Sequence, residues 1–140
     1  MAKDQDLPTP TQILKRFYAA EAIYMSTPLE QRDFSIMGKH LSPEVRLYQS
    51  PDLPYGGEYK GHAGWLQCFE LMGRYYSALD VVNPQVYEGE DGIVVMRRDT
   101  GREWREPLSQ LVRVDRAKGV ITSMRPFYWN VAGLRKVIGV

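Results

Sequence analysis

The chain is 140 residues long, with 44% hydrophobic and 25% charged side chains, which is the size and composition of one globular domain rather than of two domains or a disordered polymer. Lys and Arg number 18 against 17 Asp and Glu, so the net charge of +1 supplies no overall field for nucleic acid or an anionic membrane. The single cysteine, Cys68, excludes an intrachain disulfide and a cysteine-based zinc site, and apolar runs as short as Ile93 to Met96 fall far below the roughly 20 residues that span a bilayer.

In chain order, the first helix announces itself at Thr9. Thr9 can cap, Pro10 suits the first helical position, and Gln12 completes a capping box. Ile13, Phe17, Ala20 and Tyr24, flanked by Leu14, Tyr18 and Met25, recur at steps of three and four and predict a wide apolar face that ends before Pro28. A short second helix is expected from Asp33 to about His40, ended by Ser42-Pro43. Glu44 to Ser50 alternates as a strand, with Val45, Leu47 and Gln49 on one face and Arg46, Tyr48 and Ser50 on the other. Pro51 to Gly64 holds too many prolines and glycines for a regular element and reads as a structured loop. Trp65, Phe69 and Met72 restore helical spacing between His62 and Tyr76. Four strands follow, over Leu79–Tyr87, Gly92–Asp99, Glu103–Asp115 and Val120–Tyr128, with Thr100-Gly101 as the turn between the second and third. Helices that lead and strands that trail predict an α+β domain, its helices packed on one face of a strongly curved antiparallel sheet.

The sequence has no glycine pattern of a phosphate-binding loop or dinucleotide fold and no G-x-S-x-G elbow, and its two histidines, His40 and His62, do not form a metal-binding pair. Chemistry is therefore sought among polar residues on the sheet. With a turn at Thr100-Gly101, Arg97 and Asp99 come to lie beside Trp104 and Glu106 on a face otherwise built from Val, Ile and Leu. Two carboxylates, a cation and an indole there suit an acid-base site whose burial separates the proton affinities of the carboxylates; a solvated hairpin end with surface ion pairs is the alternative.

The run Leu47 to Gly64, LYQSPDLPYGGEYKGHAG, followed by an amphipathic helix and the segment Gly119 to Leu134, GVITSMRPFYWNVAGL, resembles the NTF2-like superfamily, specifically SnoaL-like proteins. The resemblance covers nearly the whole chain. It implies one domain over residues 1–140 with a flexible N-terminus at residues 1–8: a cystatin-like cone in which a curved mixed sheet packs on three helices around an apolar pocket. It also implies no cofactor, no metal and a homodimer. The outward apolar set Val94, Met96, Leu111 and Ile121 supports that last point. Polyketide cyclases, ketosteroid isomerases and limonene epoxide hydrolases belong to this superfamily, as do noncatalytic binders. Tyr48 and Ser50 resemble the water-positioning pair of the epoxide hydrolases, and Arg97-Arg98-Asp99 their Arg-x-Asp acid pair. No carboxylate follows Asp115, however, where those enzymes carry their base, and the isomerase base would fall near Ser50. The ending FYWNVAGLRKVIGV is similar to phenazine-biosynthesis proteins of the superfamily, which implies a binding or templating role.

Two functions are thus expected. In the first, a cofactor-independent lyase, isomerase, cyclase or hydrolase acts on a small hydrophobic, aromatic or polycyclic substrate. Glu106 or Asp99 is its base, with His62, at a pocket rim, as the substitute, and Arg97 and Tyr48 stabilise developing negative charge on oxygen. Phe17, Tyr18, Ser50, Tyr55, Trp65, Phe69, Trp104, Leu108, Gln110 and Tyr128 line the site, with Tyr48 and Tyr128 facing the cone interior. In the second, the same pocket binds a ligand without turnover. Neither needs nucleic acid or a membrane, and the polar start, Met1 to Asp6, predicts a cytoplasmic protein.

Overall fold

The computed structural model describes residues 3–76, 81–89, 93–100 and 107–140, with the backbone alone described for residues 81–84, 93–100 and 107. Helix α1, Pro10–Ser26, starts on the anticipated capping box: the Gln12 amide donates to Thr9 Oγ1 at 3.1 Å, and the Thr9 amide to Gln12 Oε1 at 2.9 Å. Its buried face carries Ile13, Leu14, Phe17, Tyr18, Tyr24 and Met25, and also Glu21, a carboxylate that is 4% exposed. Helix α2 keeps only Ser35–Gly38 of the expected span, and strand β1 begins at Leu41, so Ser42-Pro43 lies within the strand instead of ending the helix. Strand β1, Leu41–Gln49, buries Val45, Leu47 and Gln49. A short β2, Gly57–Lys60, pairs antiparallel with it inside the stretch expected to be loop. Gly61, at φ +68, turns the corner into α3, Gly61–Met72; a Cβ there would stand 3.1 Å from the Pro43 carbonyl oxygen.

Strands β3 (Val81–Glu88), β4 (Ile93–Thr100), β5 (Pro107–Asp115) and β6 (Val120–Tyr128) form the expected meander. The sheet order is β2-β1-β6-β5-β4-β3, and β1 joins β6 in parallel, Leu41 beside Ile121 and Leu47 beside Met124. The sheet is therefore mixed, as the resemblance implied, and not wholly antiparallel. The reason is topological: α3 occupies the connection out of β2, so the meander closes on the opposite edge of β1. Helix α4, Val131–Ile138, ends the fold. The Asn130 side chain caps it by accepting from the Gly133 amide at 2.8 Å, Gly139 terminates it at φ +82, and Leu134 is 2% exposed.

Register overturns one expectation. A turn at Thr100-Gly101 would place Arg97 beside Trp104 and Glu106, but Arg97 pairs with Ser109 and Asp99 with Pro107. The alternation of β5 decides this, because Leu108, Gln110 and Val112 are its buried series, and their cross-strand partners are Arg98, Met96 and Val94. The side chains of Arg97 and Asp99, and Trp104 and Glu106 entirely, lie outside the described residues. Ile121, expected to face outward, is fully buried and is lost to the apolar outer set, while Leu111 is half-buried. Arg116 contacts the N-terminal segment: its guanidinium meets Asp4 Oδ1 at 2.7 Å and donates to the Pro8 carbonyl at 2.9 Å.

The core lies between α1, α3 and the concave sheet. Trp65, with no exposed surface, packs edge-on to Phe17 at 5.5 Å and against Phe69 at 5.8 Å, and its indole Nε1–H has no acceptor among the described residues. No helix among the described residues is long and apolar enough to cross a membrane.

Candidate functional site

A cleft of about 460 Å³ opens where the ends of β1 and β6 meet the loop after β1 and the start of α4. Its floor is inside the cone and its outer wall is on the far side of the sheet, because consecutive residues of each strand contribute to both. Gln49 and Tyr128 form the floor, and the Tyr128 hydroxyl donates to Gln49 Oε1 at 3.5 Å. Gln49 is 8% exposed, and its Nε2 faces the Met72 sulfur at 3.9 Å. Tyr48, Arg125 and Phe127 form the outer wall, with the Arg125 guanidinium carbon 4.2 Å from the centre of the Tyr48 ring. Ser50 and Gly57 stand at the rim.

Behind the floor the cone interior is rich in phenols. Tyr55, fully buried, shares a 2.7 Å hydrogen bond with the Tyr76 hydroxyl, and its carbonyl accepts from Tyr59 at 2.9 Å. Burial, then the neighbouring Tyr128 and Tyr76, push the Tyr55 phenol far above its ordinary range, so it stays a neutral donor and acceptor. Cys68 is buried beside Met72, and burial pushes its thiol up to about 12, so it is packing and not a nucleophile. Further in, the Tyr18 hydroxyl donates to Gln110 Oε1 across the α1–β5 seam. Glu21 lies on the same stripe of α1, one turn from Tyr18.

The expected residues therefore do not stay together. Tyr48, Ser50 and Tyr128 meet at the cleft, with Tyr55 behind it. Tyr48, though, belongs to the outer wall instead of facing the cone interior, since the buried series of β1 is Val45, Leu47 and Gln49. Phe17, Trp65, Phe69 and Leu108 are core side chains, and Tyr18 and Gln110 form their own buried pair. His62 is at the wrong end of the fold for a rim residue. Its Nε2–H donates to the carbonyl of Leu41 at 3.0 Å and its ring packs on Phe34 at 5.6 Å, whereas the cleft is at the far end of β1, roughly 25 Å along the strand at ~3.3 Å per residue. Arg97, Asp99, Glu106 and Trp104 bring no described side chain to the cleft. Gln49, Arg125 and Glu21 were not singled out from the sequence. The strand alternation had grouped Gln49 with Val45 and Leu47, the more apolar face, and that grouping was the signal that could have found it. No three His, Cys, Asp or Glu side chains cluster as a metal site among the described residues.

Comparison with known proteins places this geometry. No protein-family model matches the chain, and no curated protein matches it in sequence. Solved structures do. A protein of unknown function with a cystatin-like fold from Xanthomonas campestris superposes with a TM-score of 0.76 at 16% identity, over 95% of this chain and 100% of the other. TerC, co-crystallized with polyporic acid, gives 0.72 at 17% identity, over 94% and 98%. A putative SnoaL-like polyketide cyclase from Shewanella denitrificans OS-217 gives 0.68 at 10% identity, over 91% and 96%. Element order, mixed sheet and full-length superposition agree, and the chain has the NTF2-like, cystatin-like fold.

Proposed function

We propose that this domain binds a small, largely apolar, oxygen-bearing molecule at the cleft, with a ligand oxygen held by Tyr128 and Gln49. One observation carries the reading: a phenol and a carboxamide, 3.5 Å apart, lie at the floor of a cleft whose walls include Pro51, Pro126, Phe127 and Val131. Such a floor offers donors and acceptors that do not ionise near neutrality, and apolar walls supply the affinity. A structural neighbour crystallized with polyporic acid and another described as a putative polyketide cyclase support the same class of ligand.

Turnover by acid-base chemistry, on an aromatic or polycyclic substrate, is the second reading, and Glu21 favours it. A carboxylate 4% exposed inside the cone, on the α1 stripe that carries Tyr18, is the kind of group that proton transfer in an apolar site requires. A panel of hydroxylated aromatics and cyclic ketones, screened by thermal shift and calorimetry, tests both. Tyr128→Phe is expected to weaken oxygenated members by about three- to tenfold, the value of one neutral hydrogen bond, and to leave hydrocarbon analogues unchanged. Equal affinity in Tyr128→Phe and Gln49→Leu would refute the binding reading. A compound that is consumed by the wild type, and consumed as fast by Glu21→Gln, would remove Glu21 from the second.

A further inference from the structure

The outer wall of the cleft carries a charge that the floor does not explain. Arg125 is the one charged side chain among the described residues lining the cleft. Its guanidinium carbon lies 4.2 Å from the Tyr48 ring centre, a cation–π contact that holds the charge at the wall. Two other arginines pair with carboxylates, Arg46 with Glu58 at 2.6 Å and Arg116 with Asp4 at 2.7 Å. Arg125 has no ion-pair partner among the described residues. Beside it in sequence, Phe127 is 54% exposed for an aromatic ring, and the Ser50 hydroxyl stands at the rim. A cation held over an aromatic ring, an exposed aromatic wall and the absence of any acidic lining residue among those described form a set that a neutral ligand would leave half unused.

We infer that the cleft selects an anionic planar ligand. An aromatic ring lies against the Phe127 and Tyr48 wall, an acidic oxygen such as a carboxylate sits on the N–H edge of Arg125, and the distal end reaches Tyr128 and Gln49. The inference rests on the cleft being a ligand site and adds the charge of its occupant. A guanidinium suits this role better than a lysine, because its donors form a flat fork that matches two carboxylate oxygens.

The probes are 2-naphthoate and its neutral counterpart 2-naphthamide, titrated by calorimetry into wild type, Arg125→Gln, Arg125→Lys and Tyr128→Phe, each first shown by circular dichroism to fold and melt normally. Wild type is expected to prefer naphthoate by roughly tenfold, the lower part of the range for a hydrogen bond to a charged group because Arg125 is exposed, and the preference shrinks as salt is raised. Arg125→Gln makes the two probes equal, Arg125→Lys keeps part of the preference, and Tyr128→Phe preserves it. Wild type that binds both probes equally, or Arg125→Gln that still prefers naphthoate, overturns the charge assignment while the cleft remains a ligand site. Binding of neither probe to wild type overturns both together.

Discussion

Replacing Trp65 with Phe measures what an unpartnered indole costs in this core. Trp65 has no exposed surface, is wedged between Phe17 and Phe69, and its Nε1–H lacks an acceptor among the described residues. Two effects oppose each other. Phe removes roughly 40 Å³, which at ~24 cal/mol per Å³ of cavity is about 1 kcal/mol, and a further ~1 kcal/mol of transfer energy goes with the lost apolar area. Against this, the variant no longer buries an unsatisfied donor, a relief of about 1–3 kcal/mol. The terms nearly cancel, and Trp65→Phe is expected within about 1 kcal/mol of wild type, whereas Trp65→Ala, with no compensation, loses about 3–5 kcal/mol. Urea titration followed by far-UV circular dichroism gives both values, since its backbone signal does not depend on the indole that the variants remove, and an unchanged denaturant slope validates the comparison. A loss above about 3 kcal/mol in Trp65→Phe would refute the reasoning, because it would mean that the indole N–H is hydrogen-bonded in the folded protein.

Leu134→Ala removes the buried anchor of an eight-residue helix too short to persist alone, at a cost of about 2–5 kcal/mol. Hydrogen exchange is expected to rise in α4 well before it rises in β5, and unchanged protection of α4 would refute its dependence on that contact. Cys68, whose thiol burial pushes up to about 12, is expected to resist iodoacetamide at pH 8 in the folded protein and to react at once in denaturant; modification of the native protein would contradict its packing role. Glu88 accepts from the Thr11 amide at 3.1 Å and hydroxyl at 2.5 Å, and these bonds hold its carboxyl below the ordinary 4.5. A depressed folded value means that its stabilisation is complete above 4.5 and fades as pH falls through the folded value. Glu88→Gln, at an exposed site, should therefore cost under about 1 kcal/mol at pH 7, with the gap to wild type closing below about pH 4.5; a gap that widened in acid would refute the assignment.

The parts of the fold written in local chemistry were legible. The capping box at Thr9 and Gln12, the apolar stripes of α1 and α3, and the span of β6 all follow from side-chain type and period. Helix α4 was not expected, although the Asn130 cap, the spacing of Val131, Leu134 and Ile138, and Gly139 mark it, because the same residues also continue the apolar run of the last strand. Register was not legible. Pairing Arg97 with Ser109 instead of Trp104 is a shift of five residues, an odd number, so it exchanges which positions of β4 pair with the buried series of β5, and nothing local to Arg97 or Asp99 specifies that choice. The site suffered for the same reason. Tyr48 and Gln49 are neighbours, and the resemblance pointed to the tyrosine, while the cleft floor uses the glutamine. Arg125 acquires meaning only once β6 lies parallel to β1 and brings it over Tyr48, a pairing between residues 77 positions apart.

That parallel pairing also sets an order of events during synthesis. Strand β1 is among the first elements to leave the ribosome, yet its inner neighbour is β6, so Val45 and Leu47 have no sheet partner on that side until residues 120–128 have emerged. A nascent chain holding α1 to β5 has the meander's edge and the β1–β2 hairpin as two unjoined pieces with exposed apolar faces. Final closure falls to one late strand and to α4 behind it, so slowing translation before residue 120 should prolong dependence on chaperones instead of helping the chain to fold.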